Sequence, residues 1–114
     1  MRDDQERLQD ILEAIVQIEK YAAGGREAFD RDELVQTWMV HHLQLIGEAS
    51  RRVSEALRAR RPEVPWPQII AMRNILVHEY FRVDADEVWA AVEREIPGLK
   101  RKIKGILTEL GGST

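Results

Sequence analysis

Within the octet Arg73-Asn74-Ile75-Leu76-Val77-His78-Glu79-Tyr80 the chain places a permanent cation, an imidazole and a phenol. Arginine stays charged at any working pH and forks onto phosphate oxygens. Histidine is the side chain whose proton moves near neutrality. The pair suits phosphodiester chemistry, with Arg73 neutralising charge on a phosphate and His78 moving a proton. As a bare pattern, an Arg followed five residues later by a His is weak in a chain with 13 arginines, so its surroundings have to decide.

Helix geometry constrains how these residues meet. Around a straight helix Arg73 and His78 lie ~140° apart and do not share a face, whereas Arg73 and Tyr80 differ by only ~20°. Three arrangements stay open: Arg73 wraps its long side chain, the helix unwinds near His78, or a second copy of the chain completes the site across a two-fold axis. Asn74 and His78 do face each other, and an amide-to-imidazole hydrogen bond would fix the ring. The plainer alternative pairs Arg73 with a carboxylate and leaves His78 and Tyr80 as satisfied, packed side chains.

The rest of the chain reads as helices that position this octet. Asp3 with Glu6 forms a capping box ahead of Leu8, Ile11, Leu12, Ile15 and Ile18 at helical spacing, and Gly24-Gly25 ends that element. Asp30 with Glu33 repeats the signature and predicts a second helix to about Arg60, with Leu34, Trp38, Leu45, Ala49, Val53 and Leu57 on one face. Val35, Met39, Leu43 and Ile46 widen its apolar stripe, so it should contact neighbours on two sides. Gly47 costs about 1 kcal/mol in a helix interior, and its use is to let another helix backbone approach. The run Pro62-Glu63-Val64-Pro65-Trp66-Pro67 turns the chain, and Pro67 suits the first position of the motif helix, whose apolar side is Ile69, Ile70, Leu76 and Val77. Asp84 with Glu87 opens a further helix through Val88, Trp89, Val92 and Ile96. Pro97 kinks that helix or starts another, which continues through Leu99, Ile103, Ile106, Leu107 and Leu110 to Gly111-Gly112. No segment alternates like a strand. The expectation is all-α: an antiparallel bundle of four or five helices, one domain over residues 1–114.

Composition narrows the chemistry further. The 114 residues include no cysteine, which removes a disulfide framework, a thiolate nucleophile and cysteine metal ligation together and makes a reducing cytoplasm the natural home. No window reads as a signal peptide or a membrane span. Net charge is −3, so bulk electrostatics do not draw a polyanion and a local basic patch would have to meet it. His41-His42 with Glu48 invites a metal site, but adjacent helix positions point ~100° apart, and neither histidine has an i+4 His partner. Packing or an interface is the better use. Arg51, Arg52, Arg58, Arg60 and Arg61 cluster where cations complement a helix macrodipole, and the same run could border an RNA groove. Lys100, Arg101, Lys102 and Lys104 read as a solvated face.

The octet and its flanks resemble the HEPN-domain toxins of the HepT-like type. The motif is Arg73, polar Asn74, three variable residues, His78, any residue, Tyr80. The flanking anchors are Ile46-Gly47-Glu48-Ala49, Val64-Pro65-Trp66, Tyr80-Phe81 followed by Val83-Asp84, Val88-Trp89 and Ile96-Pro97. One departure is His41-His42, where such proteins more often carry Arg-Asn. The resemblance implies a homodimer whose motif helices line a shared cleft, metal-independent RNA cleavage without a cofactor, and a minimal nucleotidyltransferase antitoxin as partner. It also makes Tyr80 the residue to which that antitoxin transfers AMP. The residues agree with such a reaction: RNA brings its own 2′-hydroxyl as nucleophile, leaving His78 to transfer protons, Arg73 to stabilise the phosphorane, and Asn74 and Tyr80 to support. The competing reading is a catalytically silent helical module that holds a nucleotide or presents a surface to a partner. A purely structural bundle would leave the grouping of Arg73, His78 and Tyr80 without a reason.

Overall fold

The computed structural model describes residues 3–78 and 84–111, and of residues 77 and 78 the backbone alone. Tyr80, the Phe81 and Val83 anchors, Gly112 and the His78 and Val77 side chains lie outside the described residues. Asp3 caps the first helix as expected: its carboxylate accepts from the Glu6 N–H at 3.0 Å, and α1 runs Asp4–Ala22. Leu8, Ile11, Ile15 and Ile18 are fully buried along it. Burying one such side chain is worth about 1.5–3 kcal/mol, so this stripe fixes which way α1 faces. Gly25, at φ +82°, turns the chain into a short helix α2, Gly25–Arg31. Phe29 of α2 is fully buried.

The second predicted helix is cut differently from its forecast. Asp32, not Asp30, is the cap, accepting from the Leu34 and Val35 N–H groups at 2.9 and 3.4 Å. The helix α3 spans Glu33–Arg52, and after a break at Val53-Ser54 a short α4 runs Glu55–Arg60. Ser54 caps α4 through its Oγ, which accepts from the Leu57 N–H at 3.1 Å. The same hydroxyl donates to Asp4 at 2.7 Å and the Ser54 N–H donates to Asp4 at 2.8 Å, so the break is clamped to the start of α1. The buried face of α3 is Met39, Leu43, Ile46 and Ser50, while Leu34 is 80% exposed. Apolar periodicity survives the break because Val53 and Leu57 are both buried, which is why the two helices read as one.

The motif helix α5 runs Trp66–His78, with Pro67 its second residue rather than its first. Trp66 is buried and its indole N–H donates to the Arg61 carbonyl at 3.0 Å, which holds the proline turn against the bundle. Asp84 caps α6, Ala85–Ala90, by accepting from the Asp86 N–H at 2.8 Å. A π-helical segment, Ala91–Glu95, then leads without a turn into α7, Ile96–Glu109. Pro97 is the cause: it lacks an N–H, and its ring would clash with the carbonyl four residues back in a regular α-helix. Widening the preceding turn relieves both problems, and Pro97 sits in the first turn of α7, which follows the π-helical segment directly, in keeping with the expectation that it kinks the helix or starts another.

The body is made of α1, α3, α5 and the run of α6 into α7, with α2 and α4 as short additional helices. Among the described residues there is no strand, in keeping with the all-α expectation. Helix α3 lies between α1 and α5, and α7 packs back on α1, where Lys100 donates to Glu19 at 2.9 Å. One buried cluster draws on all of these helices. Among the described residues no helix is long and apolar enough to cross a membrane.

Candidate active site

Helix α5 approaches α3 most closely at Gly47. A Cβ on Gly47 would stand 2.1 Å from Arg73 Cβ and 3.3 Å from the Ile69 carbonyl oxygen, so only glycine fits. The close approach expected of this glycine is thus present, and the residue it admits is the first of the motif. Arg73 then meets the next residue of α3: its Nη2 lies 3.1 Å from Glu48 Oε1. That oxygen is buried and accepts no well-aligned hydrogen bond from the described residues, so the Arg73 interaction is one of charge. The other carboxylate oxygen accepts from Arg52 Nε at 2.8 Å and Arg51 Nη2 at 3.0 Å. Those hydrogen bonds, Arg52 first, and the charges of Arg51 and Arg73 hold the Glu48 carboxyl below its ordinary pKa against an opposing effect of burial. Three guanidinium groups converge on one carboxylate.

Asn74 is exposed and its side-chain oxygen accepts from Arg73 Nη1 at 3.2 Å. The imidazole of His78, the expected partner of Asn74, lies outside the described residues, and the contact that is described is the one with Arg73. The backbone is helical up to His78, the last described residue before Asp84, so whether the helix unwinds beyond it lies outside the described residues. Gln44 of α3 donates to the Leu76 carbonyl at 3.1 Å. This bond ties α5 to α3 two residues before His78.

Sequence reasoning anticipates a carboxylate partner for Arg73 without saying which. It places Glu48 with the histidines and in the Ile46-Gly47-Glu48-Ala49 anchor, although the i+3 and i+4 spacing of Glu48 to Arg51 and Arg52 is a visible signal for an ion-pair cluster. His41 is exposed, whereas His42 is buried, with Nδ1 2.8 Å from the Trp38 carbonyl oxygen and its ring 4.5 Å from the Trp38 indole. A packing role for His42 agrees with this geometry. Lys100 is tied to Glu19, and Arg61 pairs with Glu63 and Glu109.

Fold and site together define a small all-helical protein with three arginines gathered on one carboxylate beside its motif helix. The chain belongs to the HepT-like ribonuclease family: the family described as "Ribonuclease HepT-like" matches residues 11–106. It is 36% identical over 104 residues to the "Probable ribonuclease HepT" of Thermococcus cleftensis, covering 90% of this chain and 94% of that protein. It is 31% identical over 104 residues to the "Putative RNase MJ1380" of Methanocaldococcus jannaschii, covering 90% and 95% respectively. The "Putative RNase TTE0752" of Caldanaerobacter subterraneus subsp. tengcongensis is 36% identical over 90 residues, covering 79% of this chain and 80% of that protein. No solved structure matches.

Proposed function

We propose that this chain is a metal-independent endoribonuclease toxin, a single HEPN-like domain over residues 1–114, restrained by a nucleotidyltransferase antitoxin. The observation that carries the reading is the Arg73 guanidinium, held on α3 by Glu48 at 3.1 Å while still 26% exposed, in a chain of a ribonuclease family. A cation fixed before substrate arrives stabilises transition-state charge without reorganising at the moment of reaction.

In the proposed reaction the RNA 2′-hydroxyl oxygen attacks the adjacent phosphorus as its proton leaves to a base. The bond to the 5′-oxygen breaks, and that oxygen takes up a proton. The products are a 2′,3′-cyclic phosphate and a 5′-hydroxyl end. His78 serves proton transfer, Arg73 offsets the charge on the non-bridging oxygens, and Asn74 steadies Arg73. DNA lacks the attacking hydroxyl and is not cut. Since α5 stays helical to His78, Arg73 and His78 sit ~140° apart on one helix, and Arg73 is drawn toward α3. A homodimer with both motif helices along one cleft brings Arg73 of one copy to His78 of the other.

Tyr80 is the proposed point of control. AMP on its phenol oxygen adds a phosphodiester anion that competes with substrate phosphate for Arg73, and an adenosine that fills the cleft.

The test uses end-labelled RNA and purified protein. Wild type should give cyclic-phosphate ends with EDTA present, and His78→Ala and Arg73→Ala should each lose at least ~10²-fold in rate. Incubation with the partner nucleotidyltransferase and ATP should add one AMP by intact mass to wild type and none to Tyr80→Phe. Full activity in His78→Ala would overturn the mechanism, and modification of Tyr80→Phe would move the control site elsewhere.

A further inference from the structure

The chain carries a net charge of −3, so a polyanion must find a local patch, and the cluster around Glu48 is one. Among the described residues three guanidinium groups share the Glu48 carboxylate, so these four side chains together carry a charge of +2. The heads are not spent on packing: Arg51 and Arg52 are each 51% exposed. Simple surface ion pairing would need only one arginine per carboxylate, and a like-charge group of three costs repulsion unless an anion visits it. The groove of about 360 Å³ between α1 and α3 is lined by Arg52 and Glu48 together with Arg7, Asp10 and Glu13, while Arg51 and Arg73 stand outside it. Its carboxylates outnumber its cations, so access for a phosphate is favoured from the Arg51 and Arg73 side.

We infer that Arg51 and Arg52 form a phosphate-binding subsite contiguous with Arg73, holding the RNA backbone next to the phosphate that is cut, with Glu48 as the residue that positions all three guanidinium groups. The inference rests on RNA being the substrate. The subsite reads backbone and not base, because each interaction is guanidinium to phosphate. Glu48 acts through the arginines and touches no substrate.

Binding, not cleavage, is the decisive measurement. A fluorescein-labelled 2′-O-methyl RNA oligonucleotide cannot be cut, and its affinity is read by anisotropy between about 50 and 200 mM salt. For single strands each neutralised phosphate adds about 0.7 to the steepness of log K against log salt. The Arg51→Ala/Arg52→Ala protein should bind more weakly, with a slope shallower by about 0.7 for each phosphate it no longer neutralises. Arg51→Lys/Arg52→Lys keeps the charges and should keep the slope, which separates missing charge from a misfolded α3. Lys102→Ala/Lys104→Ala removes the same charge from α7 and should leave the slope as in wild type. An unchanged slope in the alanine pair, or an equal change in the α7 pair, overturns the subsite while cleavage by wild type still upholds the reaction. Absence of cleavage with an Arg51- and Arg52-dependent slope would instead sink the reaction and leave the subsite.

Discussion

Glu48 is where residue chemistry is most constrained. Its folded-state pKa is depressed by Arg52, Arg51 and Arg73, so its contribution to stability is fully present above the unfolded value of about 4.3 and is lost as pH falls through the lower folded value. Glu48→Gln keeps the shape and removes the charge. In urea denaturation the variant should be less stable than wild type at pH 7, with the gap closing as pH is lowered below the ordinary carboxylate range. A gap of equal size at neutral and at acid pH would show that the carboxylate charge is not what the arginines hold. Candidate roles for Arg73 and His78 were legible in the sequence because residue type alone carries charge and proton affinity. Which carboxylate Arg73 meets was not, since that pairing joins Glu48 of α3 to a residue of α5 and depends on how the two helices pack.

At the scale of elements, the helices themselves were legible from capping residues and period, and the errors have definite causes. Asp30 and Asp32 both precede residues that could open a helix. Asp32 is the one that caps it, extended at φ −128° and ψ 105°, with its carboxylate turned to the N–H groups of Leu34 and Val35. The break at Ser54 was hidden because a face can stay apolar across a change of helix. Gly47 was legible, since a glycine in a helix interior asks for a close neighbour. Gly47→Ala puts a methyl carbon within 2.1 Å of Arg73 Cβ and must push α5 off α3. The overpacking should cost about 1–3 kcal/mol, offset by up to about 1 kcal/mol of gained helix propensity. Because Arg73 moves with α5, the cleavage rate should fall on the order of 10²-fold, more than the stability change explains. Urea midpoints and single-turnover rates measured together check this; wild-type rates in Gly47→Ala would disprove the link between packing and cation placement.

At the scale of the whole molecule, two apolar side chains bear on assembly. Ile75 on the motif helix is 55% exposed and Leu45 on α3 is 44% exposed, surface that the bundle leaves uncovered on the two helices that carry the Arg73 cluster. A stable dimer buries on the order of 1,600 Å². Light scattering on the purified chain, 13.2 kDa per copy, should return twice that mass, and Ile75→Asp should give monomer with cleavage lost. Active monomer would contradict a site shared between copies.

The packing of α7 on α1 has a consequence for timing. The apolar stripe of α1 is made before α5, yet its closing partner, with Leu99, Ile103, Ile106 and Leu107 inward, is made after α5. Synthesis at roughly 5–20 residues per second puts about two to six seconds between completion of α5 and completion of α7. Through that interval α5 has been made but the core that α7 completes has not, so Arg73 and Asn74 of a nascent chain precede the packing that steadies them.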